Sequence, residues 1–119
     1  DKVDKVKNKI QGFFINAEKK GKKIVCYGAA AKGNTVLNFC GIAKNSIDYV
    51  VDISPHKQGK FLPGTHIPIY APEKIKDTKP DYIVILAWNL KDEIIEQMNF
   101  VKEWGGKFVV LIPEVKILE

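Results

Sequence analysis

The sequence predicts a doubly wound α/β domain, Rossmann-like and three-layered, whose mainly parallel sheet has about four to five strands. Short apolar runs alternate along the chain with stretches of helical spacing. These runs are apolar at nearly every position instead of every second one, as strands covered on both faces require. A glycine turn joins the first run to the helix after it, in VCYGAAAKGNT from Val25 to Thr35.

Taken in order, Val3, Val6, Ile10, Phe13, Phe14 and Ala17 recur at three- and four-residue intervals, one stripe of a helix whose other faces carry lysine. Gly21 ends it, leaving 1–22 as a lysine-rich leading helix and 23–119 as the α/β domain. Lys23 to Tyr27 is the first strand, and Val36, Leu37 and Cys40 mark a brief helix stopped by Gly41. Ile47 to Asp52 and Asp81 to Ala87 are the next strands, with a small helix over Pro72 to Asp77 between them. Asn89 caps a helix that begins near Leu90 and buries Leu90, Ile94, Ile95, Met98 and Val101; Gly105 and Gly106 stop it before a strand over Lys107 to Ile112. Right-handed crossovers then gather Gly28 to Asn34, Ser54 to Ile67, Trp88 to Asn89 and Pro113 to Glu114 along one sheet edge, where such folds bind ligands.

The 119 residues make about one domain, and apolar and charged fractions of 45% and 28% are ordinary for a globular chain. No apolar run is long enough for a membrane span and the start is too charged for a secretory signal, so a soluble, cytoplasmic protein is expected. The formal charge of +5 lies wholly in Asp1 to Lys23, where eight lysines face three acids. All 19 basic residues are lysine, without the arginine fork that base and phosphate recognition favours, so the lysines read as a solvated helix face and nucleic acid is not an expected partner. Cys26 and Cys40 lack metal-ligand spacing and His56 and His66 lack neighbouring ligands, so no metal is expected.

Gly28, Gly33 and Thr35 match the P-loop pattern G-x-x-x-x-G-K-S/T except that Asn34 replaces the lysine that reaches the terminal phosphates. The dinucleotide pattern G-x-G-x-x-G fails at Ala30 instead. Two readings remain open. Gly28, Ala29, Ala30, Ala31, Lys32, Gly33 and Asn34 form an anion site of unpaired amides at a helix start, or they form a tight turn whose small residues let helix and sheet pack. Asp52, about twenty residues after the loop, stands where an acid accepts a ribose hydroxyl, or serves as a turn acid before Ser54-Pro55. The connection SPHKQGKFLPGTHIPI is long, and its Lys57, Gln58, Lys60, Thr65 and His66 offer donors to a phosphate or sugar.

With GAAAKGNT, YVVDISPHKQGKFLPGTHIPI, PDYIVILAWNLKDEIIEQ and WGGKFVVLIPE in order, the chain resembles the C-terminal domain of the sugar C-methyltransferase family, from about Ile24 to Glu114. The resemblance implies an enzyme that transfers methyl from S-adenosylmethionine to carbon on a nucleoside diphosphate deoxysugar, probed most simply as the thymidine (dTDP) sugar. It also implies a zinc-binding N-terminal domain and a central methyl-donor domain. This sequence carries the motifs of neither, so it reads as a fragment, inactive by itself, whose partners are the nucleotide sugar and the other domains of its polypeptide.

Under the resemblance, Gly28 to Asn34 with Lys32 face the diphosphate, Asp52, Lys57 and Gln58 lie near the nucleoside or sugar, and His66, Trp88 and Asn89 help close the pocket. Trp88 serves equally as a packing aromatic, and Asn89 as a helix cap. A regulatory domain that binds a dinucleotide or coenzyme A without catalysis is the second reading, and a purely structural domain the third.

Overall fold

The computed structural model describes residues 2–118; Asp1 and Glu119, the outer bounds of the two expected segments, lie outside the described residues. The chain is a doubly wound α/β domain, and six strands form one sheet in the order β3-β2-β1-β4-β5-β6. These are β1 (Ile24–Tyr27), β2 (Val50–Val51), β3 (Ile69–Tyr70), β4 (Tyr82–Ile85), β5 (Lys107–Val110) and β6 (Lys116–Leu118). All neighbours pair in parallel except β5 with β6, which run antiparallel. Two strands lie outside those expected: β3 closes the long connection after β2, and β6 follows β5. Two and three residues long, they are too short to show a period.

Helices α1 (Lys2–Lys19) and α2 (Ala31–Phe39) cover one face of the sheet, and α3 (Lys74–Thr78) and α4 (Lys91–Gln97) the other. Alternate residues of each strand point to opposite faces. Ile24 and Cys26 of β1 therefore join Ile10, Phe14, Ala17 and Leu37, while Val25 and Tyr27 join Ile75, Ile94 and Met98. Both faces are dry, which is why the strands read as unbroken apolar runs. Although α1 leads the chain, it packs within the same core as β1.

α1 and α2 stop by one device. Lys22 N–H donates to Ala17 O at 2.9 Å and Gly21 N–H to Glu18 O at 3.0 Å; Ile42 N–H donates to Leu37 O at 2.9 Å and Gly41 N–H to Asn38 O at 3.1 Å. The left-handed glycine at each end turns the chain so that otherwise orphaned carbonyls are satisfied.

The expected helix after β4 is broken. Trp88–Leu90 is a 3₁₀ turn, α4 ends at Gln97, and Asn99–Trp104 is again 3₁₀. Asn89 is therefore not the cap: Leu90 occupies the cap position of α4, outside the helix, where it is exposed instead of buried as expected, and no side chain bonds there. Asp92 and Glu93 in the first turn still oppose the positive end of the helix. Among the described residues no helix is long and apolar enough to cross a membrane.

Candidate functional site

The sheet order reverses direction between β1 and β4, and the loops that leave these strands meet there. Gly28 has φ +99°, and a Cβ built on it would lie 2.8 Å from Ala87 Cβ. On Gly33, inside the first turn of α2, a Cβ would lie 2.6 Å from Leu86 Cβ and 3.0 Å from Leu86 O. Both glycines are required because the β1 turn and α2 press on the end of β4. The packing reading therefore accounts for them. Ala29 packs against the core as well, whereas Ala31 is exposed.

Three of the amides expected to be free, those of Gly28, Ala29 and Asn34, are not. Gly28 N–H donates to Val51 O at 2.8 Å, and Ala29 N–H to Asp52 Oδ2 at 2.8 Å. The first helical bond of α2 runs from Asn34 N–H to Ala30 O at 2.9 Å. Ala31, Lys32 and Gly33, the first three residues of α2, thus have no intrahelical acceptor, and the positive end of the helix lies among them. The amides without a helical acceptor thus begin at Ala31, three residues after Gly28. Ala31 and Lys32 are exposed.

Asp52 directly follows β2 and works as a junction. Besides Ala29, it takes Ser54 N–H on Oδ1 at 2.8 Å, the two-residue turn that an Asp side chain favours. Gln58 Nε2 donates to Asp52 O at 2.8 Å, and Lys57 Nζ donates to Ala29 O at 3.0 Å and lies 4.0 Å from Asp52 Oδ2. Asp52, Lys57 and Gln58 therefore fasten the β1 turn to the connection after β2. That is the turn-acid reading of Asp52.

The long connection is ordered. Leu62 N–H to Ile67 O (2.8 Å), His66 N–H to Leu62 O (2.9 Å) and a bridge between Phe61 and Pro68 fold it back on itself. Its tip is pinned to α2, where Asn34 Nδ2 and Asn38 Nδ2 both donate to Pro63 O, at 3.0 and 3.2 Å. Asn34, at the position of the P-loop lysine, is thus a fastener. Thr35, at the position of the P-loop hydroxyl, donates back to Ala31 O at 2.9 Å. Both side chains donate to carbonyls of the chain itself.

His66 is exposed, has φ 61°, and stacks on Phe61 with centroids 4.6 Å apart and planes 6° from parallel. Trp88 is half-buried and Asn89 exposed in the turn after β4. The structure therefore brings the glycine turn, Asp52, Lys57 and Gln58 into one bonded cluster, with Thr65 against Asn34 (3.5 Å) at its side. No bond links His66, Trp88 or Asn89 to it. Leu86, Ala87, Asn38, Pro63 and Phe61 escaped the sequence reading, since an apolar strand end and plain loop residues give no local signal of what they touch.

Cys26 and Cys40 are buried free thiols, and burial raises the pKa of both. They are not placed as nucleophiles.

Residues 1–113 match the family described as the C-methyltransferase C-terminal domain. The chain is 38% identical over 115 residues to the C-methyltransferase NovU of Streptomyces niveus, an alignment covering 97% of this chain and 27% of that relative. It thus spans about a quarter of that relative's length. Among solved structures, the UDP-D-quinovosamine 4-dehydrogenase of Vibrio fischeri shares the fold with a TM-score of 0.56, at 16% identity over 82% of this chain and 93% of that one.

Proposed function

This chain belongs to the C-methyltransferase C-terminal domain family, and from that membership we propose that it is the substrate-holding domain of a cytoplasmic sugar C-methyltransferase. The substrate is a nucleoside diphosphate keto-deoxysugar, dTDP-linked in the first instance. One observation carries the reading: at the sheet's switch point α2 opens with Ala31, Lys32 and Gly33, whose amides have no acceptor within the helix. Lys32 adds an exposed positive charge at the same mouth.

The methyl donor, S-adenosylmethionine, supplies an electrophilic methyl group when bound. Its site belongs to another domain of the polypeptide. Asp52 stands where a ribose-binding acid would, but both its oxygens hold the chain's own amides, which does not fit a donor site here. This chain's residues act on the substrate alone: α2 fixes the diphosphate, and Asp52, Lys57 and Gln58 keep the β1 turn in the shape that presents those amides. Removal of the sugar proton and methyl transfer take place outside it, so the fragment alone is inactive.

Titration calorimetry with thymidine diphosphate tests the proposal. Binding is expected, and Ala31→Glu, which sets a carboxylate in the helix mouth, should weaken it about tenfold or more. Equal binding by both proteins overturns the site. Stabilisation by NAD(H) or coenzyme A in place of the thymidine nucleotide overturns the ligand class and favours a regulatory domain.

A further inference from the structure

The apolar stripe of α1 runs on past the core that it helps to form. Ile10, Phe14 and Ala17 are buried, yet Val6 is only half-buried and Val3 is 55% exposed. Alongside, Phe39 of α2 is 52% exposed although its neighbours Leu37 and Cys40 are buried. Val6, Ile10, Val36, Phe39 and Cys40 line a groove of about 250 Å³ between the two helices, with Lys2 and Lys7. That is below the ~300–1,000 Å³ of small-molecule sites, and the groove lacks the convergent polar groups that orient a small molecule. It suits one or two inserted apolar side chains.

We propose that this groove docks the segment of the full-length polypeptide immediately preceding α1. Three observations select that occupant. The family is a C-terminal domain and the alignment takes 27% of NovU, so roughly three-quarters of such a relative lies outside it and, for a C-terminal domain, before it. Lys2 itself lines the groove, so polypeptide entering α1 is tethered at the spot where it must bind, at high effective concentration. Lys2, Lys5, Lys7 and Lys9 crowd the start of α1 and bias the occupant towards carboxylates beside its apolar anchor. Lys7 is already drawn over the Phe39 ring, 5.1 Å from its centroid, leaving part of the ring's surface open. The inference rests on family membership and the groove, and it stands or falls independently of the thymidine nucleotide titration.

The test uses the full-length protein with Phe39 replaced by the photo-crosslinker p-benzoylphenylalanine. An intramolecular adduct to residues upstream of Asp1, mapped by mass spectrometry, is expected. An adduct to a second copy, adducts confined to residues 2–118, or none from a folded protein overturns the proposal. Independently, Phe39→Ser should leave the circular dichroism unchanged and speed proteolysis of the peptide leading into α1 by about tenfold, since the docked segment loses its apolar contact. Ile117→Ser, at another exposed apolar residue, should not. Equal rates for the two variants overturn the proposal as well.

Discussion

Asp52 Oδ2 accepts the backbone N–H of Ala29 at 2.8 Å, and that bond joins the turn after β1 to the end of β2. Its other oxygen holds Ser54 N–H, so one side chain shapes both loops. Hydrogen bonds to a charged acceptor contribute more than neutral ones, and Asp52→Ala should lower unfolding free energy by about 1.5–3 kcal/mol. Urea denaturation checks this. An unchanged midpoint would show that Asp52 has no part in holding the loops.

Gly33→Ala and Gly12→Ala should move stability in opposite directions. At Gly33 the new methyl meets Leu86 at the end of β4 and forces a shift, a cost of about 1–3 kcal/mol for overpacking. At Gly12, inside α1, nothing lies within 4 Å, and replacing glycine in a helix gains about 0.5–1 kcal/mol. Thermal melts of the two variants would separate a packing glycine from a dispensable one.

Asn34→Lys restores the P-loop lettering and should not create a nucleotide triphosphate site. It removes one of the two donors to Pro63 O, so the tip of the Gly59 to Ile69 connection should loosen, at a cost of about 0.5–1.5 kcal/mol. Faster amide exchange at Leu62 and His66 is the readout. Tight, magnesium-dependent ATP binding by the variant would contradict the assignment of Asn34 as a fastener.

Cys26 is fully buried in β1, and burial raises its thiol well above the ordinary 9.0. The unfolded chain therefore loses a proton near pH 9 that the folded chain retains. Stability from this group is full below that pH and falls as pH rises, by about 1.4 kcal/mol per unit. Burial likewise raises Tyr27 and Tyr49 above 10.0, which should steepen the fall beyond pH 10. Cys26→Ala should flatten the segment between pH 9 and 10 in denaturation measured against pH. A slope unchanged by that substitution would locate the titration elsewhere.

Lys32 and Lys57 should separate binding from architecture. Lys32 is exposed at the mouth of α2, so Lys32→Ala should weaken thymidine diphosphate about tenfold while leaving the melting temperature unmoved. Lys57 Nζ is bonded to Ala29 O, so Lys57→Ala should lower the melting temperature, with a smaller loss of affinity that follows the loosened turn. Calorimetry and thermal melts on the same samples decide between these assignments.

Much of this molecule was legible in its letters. The unbroken apolar runs required a sheet covered on both faces, and Gly21 and Gly41 marked the ends of two helices, because periodicity and left-handed backbone are local properties. Order, spacing and the glycine turn together carried the family resemblance.

What the letters could not determine was which partner each polar group would find. Asn34, Asp52, Lys57 and Gln58 look like ligand contacts along the chain, and the fold turns them onto Pro63, Ala29, Ser54 and the Asp52 carbonyl. Gly28 and Gly33 are required where they stand because Leu86 and Ala87, just past β4 and more than fifty residues further along, pass within contact of them. Such pairings depend on distance in space, which sequence separation does not encode. Sheet pairing closed the Gly28 amide on Val51 O, the Asp52 side chain closed that of Ala29, and the start of α2 left those of Ala31, Lys32 and Gly33 without a helical acceptor.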